Sequence, residues 1–85
     1  MAAYVNKLRR RFGGLAFCHL LADTEEELHA IAARIGVDSR LFQGEKIPHY
    51  DISQAKRALA LAAGAVEIDR DRLAELIRNY TYGRR

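Results

Sequence analysis

An eight-residue apolar run, Leu15-Ala-Phe-Cys-His-Leu-Leu-Ala22, passes after a single aspartate into Thr24-Glu-Glu-Glu27. No other stretch constrains the fold as strongly. A strand that is apolar on both faces must be covered on both, which is the situation of a central strand in a layered α/β domain. Thr24 with Glu27 three residues later is a capping box, so a helix starts as soon as the strand ends. Glu25, Glu26 and Glu27 fall in its first turn, where the helix dipole favours anions, and charge balance accounts for them without a catalytic role. Leu28, Ile31, Ala32 and Ile35 repeat at helical spacing, and Gly36 takes the position just past the helix end.

The remaining elements follow from shorter signals. Ala2 to Val5 reads as a short strand, followed by a basic loop over 7–14 that contains Gly13 and Gly14. The segment 38–48, with Gly44 and the sole proline, Pro48, reads as a surface loop. His49-Tyr-Asp-Ile52 is short and β-leaning; Ser53 then caps a helix over 54–63 closed by Gly64. Residues 65–68 alternate as a half-buried strand, and Asp69 caps a third helix whose Leu73, Leu76, Ile77 and Tyr80 form one apolar stripe. Residues 83–85 are a basic tail. The expected architecture is a small single-domain α/β sandwich over 1–85, in the order β-β-α-β-α-β-α, with a partly parallel sheet because strand–helix–strand units cross over.

Size limits what such a domain can enclose. At 85 residues folding hides only about 60 to 65% of the unfolded surface, so a shallow site, or one shared between subunits, is expected rather than a deep catalytic cavity. The single cysteine, Cys18, excludes an internal disulfide and fits a reducing cytoplasm. The apolar run is interrupted by His19 and ends too soon for a signal peptide or a membrane span. A net charge of +3 conceals a separated one: residues 1–22 carry four cations, residues 23–45 carry six acids against two cations, and residues 46–85 carry eight cations against five acids.

Asp23 stands where the central strand gives way to a helix, which is the end of an α/β sheet where ligands bind; the plainer account is a second N-cap beside Thr24. His49, Tyr50 and Asp51 directly precede another helix. If the His49 strand ran parallel beside the Cys18 strand, Asp23, His49 and Asp51 would share one sheet edge as candidate catalytic groups, within reach of Lys56 and Arg57. Carboxylates and imidazoles bind a divalent metal or move protons, while Lys56, Arg57 and Tyr50 beside helix-start amides would hold a phosphate. No metal ligand is assigned, because His19, His29 and His49 match no known ligand spacing, and no cofactor is named. His19, inside an apolar strand, reads as a hydrogen-bonded core histidine, and His29 as a surface partner of Glu25 one turn back. Cys18 cannot meet its neighbour His19, since adjacent strand residues point to opposite faces. Arg9, Arg10 and Arg11 give the first loop the charge to grip phosphates.

The strings His19-Leu-Leu-Ala-Asp-Thr-Glu-Glu-Glu-Leu-His29, Leu41-Phe-Gln43, Pro48-His-Tyr-Asp-Ile52, Lys56-Arg-Ala-Leu-Ala and Gly64-Ala-Val-Glu-Ile68 together resemble a small family of bacterial and phage proteins described only as a domain of unknown function. The resemblance runs from about Tyr4 to Ile68. It implies a compact α/β domain, often phage- or prophage-borne, with His19, Asp23, His29, His49, Asp51 and Arg57 at the family's polar positions. It implies no activity. Relatives of this kind often carry acids just after the first strand, where this chain has Asn6 and Lys7, and a Trp where it has Leu41. Were such an acid a ligand or general base, Asn6 would leave a binding-only member, since an amide takes up no proton at neutral pH.

Two functional expectations result. The first is a module binding a phosphate-bearing ligand, a nucleotide or nucleic acid, with weak phosphoester chemistry as an added capacity. The alternative is a non-enzymatic phage or prophage protein that binds a host protein and self-associates through the third helix.

Overall fold

The computed structural model describes residues 2–7, 9–10, 15–45 and 47–83. Strands β1 (Ala3–Val5), β2 (Arg9–Arg10) and β3 (Ala16–Ala22) are followed by helix α1 (Glu25–Arg34), a 3-10 turn at Ser39–Leu41, strands β4 (Phe42–Gln43) and β5 (His49–Ser53), helix α2 (Gln54–Ala62), strand β6 (Val66–Glu67) and helix α3 (Arg70–Gly83). The long elements stand in the expected order. Two short strands, β2 and β4, lie inside segments read as loops, because two residues are too few to show a periodicity.

The sheet is mixed, in the order β4-β5-β3-β1-β6, with β2 added to β3 beyond the end of β1. Among the described residues only β1 and β6 pair in parallel; β1, β2 and β5 all lie antiparallel to β3, and β4 antiparallel to β5. The parallel placement of the His49 strand beside the Cys18 strand is therefore corrected. The crossover through α1 delivers the short β4, which runs with β3, and the chain then turns back to insert β5 between them. The resulting register sets Cys18 opposite Ile52, His19 opposite Asp51 and Leu20 opposite Tyr50.

Side chains alternate across this sheet. On one face Val5, Cys18, Leu20, Tyr50 and Ile52 pack with Leu28, Ala32 and Ile35 of α1 and its end and with Ala60 of α2. On the other, Tyr4, Leu21, Ile47 and Ile68 pack under Leu73, Leu76, Ile77 and Tyr80 of α3. The third-helix stripe is thus occupied in covering the sheet. Leu20 and Leu21 are both fully buried although adjacent, as a strand covered on both faces requires.

The caps fall where the side-chain chemistry put them. Glu27 N–H donates to Thr24 Oγ1 at 3.1 Å, while the Thr24 hydroxyl donates to the Glu27 carboxylate at 2.9 Å. Ser53 Oγ accepts from Lys56 N–H and Asp69 Oδ1 from Arg72 N–H. Gly36 leaves α1 at φ +80°, a conformation that residues with a Cβ rarely adopt, and a Cβ there would meet Lys56 Nζ at 3.0 Å. Among the described residues no helix is long and apolar enough to cross a membrane.

Two outcomes follow. Leu20→Ala should lower stability by about 2 to 5 kcal/mol in urea unfolding, while the same change at exposed Leu15 should stay within about 0.5 kcal/mol; equal effects would contradict the central position of β3. The Tyr4 phenol is held above its usual pKa by its hydrogen bond to Asp23 and by burial, outweighing Arg72. Its neutral form is favoured in the fold, so this stabilisation is complete below the unfolded tyrosine pKa near 10 and is lost as pH rises through the folded value. Tyr4→Phe should make the alkaline loss of stability shallower, as read from urea midpoints across that range; an unchanged slope would show that the contact stores nothing.

Candidate functional site

The antiparallel register draws three polar side chains together on the α3 side of the sheet. His19 and Asp51 are direct cross-strand partners, and His49, two residues before Asp51 on β5, projects from the same face. Asp51 Oδ1 lies 3.5 Å from His19 Nε2 and 3.8 Å from His49 Nε2, and the imidazole rings meet edge-on with centroids 4.8 Å apart. Exposure grades from 13% for the His49 side chain through 27% for Asp51 to 34% for His19. All three open on a cleft of about 340 Å³ lined also by Leu21, Gln43, Ile47 and Leu73.

Neighbours fix each member. Gln43 on β4, paired in register with His49, donates from Nε2 to Asp51 Oδ2 at 3.0 Å. The other oxygen, Oδ1, is buried and makes no hydrogen bond among the described residues. His49 Nδ1 donates to the Ile47 carbonyl at 2.7 Å, which leaves the Nε2 lone pair of the neutral ring turned toward Asp51. Asn6 holds His19 twice: its Oδ1 accepts from the His19 backbone N–H at 2.7 Å, and its Nδ2 lies 3.3 Å from His19 Nδ1. Since Oδ1 faces an obligatory donor, the amide orientation is determined, and Nδ2 donates to the ring.

A second depression, of about 300 Å³, adjoins the first. Leu73 lines both, and Asn6 of the second is the partner of His19 in the first. It is bordered by Lys7, Arg9, Ile68, Asp69 and Arg70 at the start of α3. The side chains of Lys7, Arg9 and Arg70 make no hydrogen bond or ion pair among the described residues. Asp69, the one acid there, is committed to capping α3.

The other sequence candidates are placed elsewhere. Asp23 is remote from Asp51, because the strands run in opposite directions; its carboxylate accepts from Ala2 N–H at 2.9 Å and from the Tyr4 hydroxyl at 2.6 Å, tying β1 to the end of β3. Tyr50 is buried in the opposite core, with its hydroxyl 2.7 Å from His29 Nδ1. His29 also reaches Glu25 at 3.4 Å, as expected one turn apart. Lys56 donates to the Ile35 carbonyl at 3.0 Å, a cation at the C-terminal end of α1. Arg57 donates from Nε to the Asn6 carbonyl at 3.0 Å and pairs with Glu67. Arg9 borders the basic depression, whereas Arg11 and the side chain of Arg10 lie outside the described residues. Burial pushes the Cys18 thiol up to about 11, so it is a protonated core side chain rather than a nucleophile.

The sequence by itself gives Gln43 and Arg70 no role, and singles out His19 and Asn6 only through the family resemblance. His19, expected as a core histidine, is a partly exposed member of the cleft. Its signal was present: the one polar residue of an apolar strand marks the face that is incompletely covered, as His49 and Asp51 at i and i+2 mark theirs.

No match is found among curated proteins or among solved structures. The model of the family described as "Protein of unknown function (DUF4031)" matches residues 3–80, a span that includes both depressions and every side chain of the His19–His49–Asp51 group, and the chain belongs to that family.

Proposed function

We propose that this protein binds a phosphate-bearing ligand, a nucleotide or a nucleic acid, in the groove on the α3 side of the sheet. One observation carries the reading: Lys7, Arg9 and Arg70, without acidic partners among the described residues, converge on one depression at the N-terminal end of a 14-residue helix. Cationic side chains and helix-start amides attract the same anion, and phosphate is the anion they most often hold. The open shape suits a ligand that lies across the surface, in keeping with the small size of the domain.

The imidazoles and carboxylate next to this depression are groups that general acid–base hydrolysis of a phosphoester uses, so a bound phosphate would lie beside proton-transfer groups. Lys56 and Arg57 have no part in this reading. Their contacts to the ends of α1 and β1 give them structural roles.

Fluorescence anisotropy with labelled oligonucleotides and a nucleotide across a salt series tests the proposal. Three phosphate contacts should give a slope of log affinity on log salt of about −2 to −3, and Lys7→Ala, Arg9→Ala and Arg70→Ala combined should flatten it. No binding at low salt, or a slope that survives the triple variant, would refute the site. Phosphate release from the same samples reports hydrolysis. Arg57→Ala should act instead on stability, by about 1.5 to 3 kcal/mol in urea unfolding, because it removes a charged hydrogen bond to the Asn6 carbonyl; a stable variant with lost binding would return Arg57 to the ligand site.

A further inference from the structure

We infer that His19 Nε2, His49 Nε2 and one oxygen of Asp51 form a binding site for a single first-row divalent ion such as Zn²⁺, independent of whether a phosphate ligand binds nearby. The donor atoms of the three side chains lie within 4.8 Å of one another. Bonds of about 2.0 to 2.2 Å in tetrahedral geometry place neighbouring ligand atoms roughly 3.3 to 3.5 Å apart. The carboxylate-to-imidazole separations of 3.5 and 3.8 Å already stand close to that, and rotation of the imidazole side chains has to draw in the longest separation of the set, 4.8 Å.

Geometry alone would leave a chance cluster. The second observation is Asp51 Oδ1, a buried carboxylate oxygen that faces both imidazoles and makes no hydrogen bond among the described residues. Such an atom has given up water without gaining a donor, which is costly, and a cation between it and the two ring nitrogens would repay that cost. The surrounding contacts are those a bound ion needs. Gln43 holds the other carboxylate oxygen, and the Ile47 carbonyl keeps the proton of His49 on Nδ1, so that Nε2 presents its lone pair. Two imidazoles and one carboxylate leave at least one position for water or a ligand atom, on the side of the cleft.

Asn6 sets the affinity. A metal on His19 Nε2 requires the ring proton on Nδ1, where it would face the Asn6 amide N–H₂, a donor against a donor. An aspartate at this position would keep the acceptor for the His19 backbone N–H and offer a carboxylate oxygen to Nδ1–H.

Isothermal titration of Zn²⁺ into the metal-stripped, untagged protein tests the site, with Co²⁺ absorption as a second readout of ligand number. One ion per chain is expected, with Asp51→Asn and His49→Gln each at least tenfold weaker and Asn6→Asp at least tenfold tighter, the usual size of an outer-contact effect. Circular dichroism checks that each variant folds, and Asn6→Asp, which keeps the backbone contact, remains informative if the others do not fold. No binding up to millimolar Zn²⁺, or binding that folded Asp51→Asn and His49→Gln leave unchanged, overturns the site. An Asn6→Asp protein with unaltered affinity removes His19 from the ligand set and overturns the three-residue site as well.

Discussion

Coverage of the sheet governs everything else in this protein. Strands stand about 4.8 Å apart and a helix with its side chains is about 10 Å across, so one helix shields roughly two strands. With three helices among the described residues for a sheet of this width, α1 and α2 close one face and α3 serves the other. It covers Tyr4, Leu21 and Ile68, and beyond its edge the face of β4, β5 and the adjoining part of β3 stays open. Polar side chains gather there. His19, His49, Asp51 and Gln43 all occupy that strip, while their neighbours Cys18, Leu20, Tyr50 and Ile52 fill the closed face.

The interruption between β1 and β2 is the second organising feature. Between the paired residues Val5 and Arg9 the chain has one more residue than β3 has between Leu20 and Phe17, so the ladder loses its regular register. Asn6 repairs the break with its side chain, supplying the acceptor that His19 N–H needs, and its own carbonyl takes Arg57. Arg57 in turn reaches Glu67 on β6. A single nearly buried amide thus links the cleft histidine, α2 and the edge strand, because each unpaired backbone group near the core must find a partner.

Folding also reorganises the charge. The acidic middle of the sequence is concentrated at the start of α1, whereas Lys7 and Arg9 from the first basic segment meet Arg70 from the last at the start of α3. Sites of opposite character therefore sit side by side: a carboxylate with two imidazoles, and a depression lined by cations. Leu73 and the Asn6–His19 contact form the boundary between them. A negatively charged group lying across that boundary would meet cations on one side and imidazoles with a carboxylate on the other.

Local chemistry was legible without any structure. The capping box at Thr24, the caps at Ser53 and Asp69, the left-handed Gly36, the apolar stripes and the doubly buried strand each depend on residues within a few positions of one another, and the order of long elements followed from them. Strand neighbours and direction were decided by the tertiary structure alone. The two residues of β4 carry no periodic signal, yet their hairpin with β5 reverses the strand next to β3, separates Asp23 from Asp51 and brings His19 opposite it. The candidate site joins residues 19, 49 and 51, held by residues 6 and 43. Sequence determines each of these side chains and the face it takes along its strand, but which strands stand together depends on how few helices must cover both faces of one sheet.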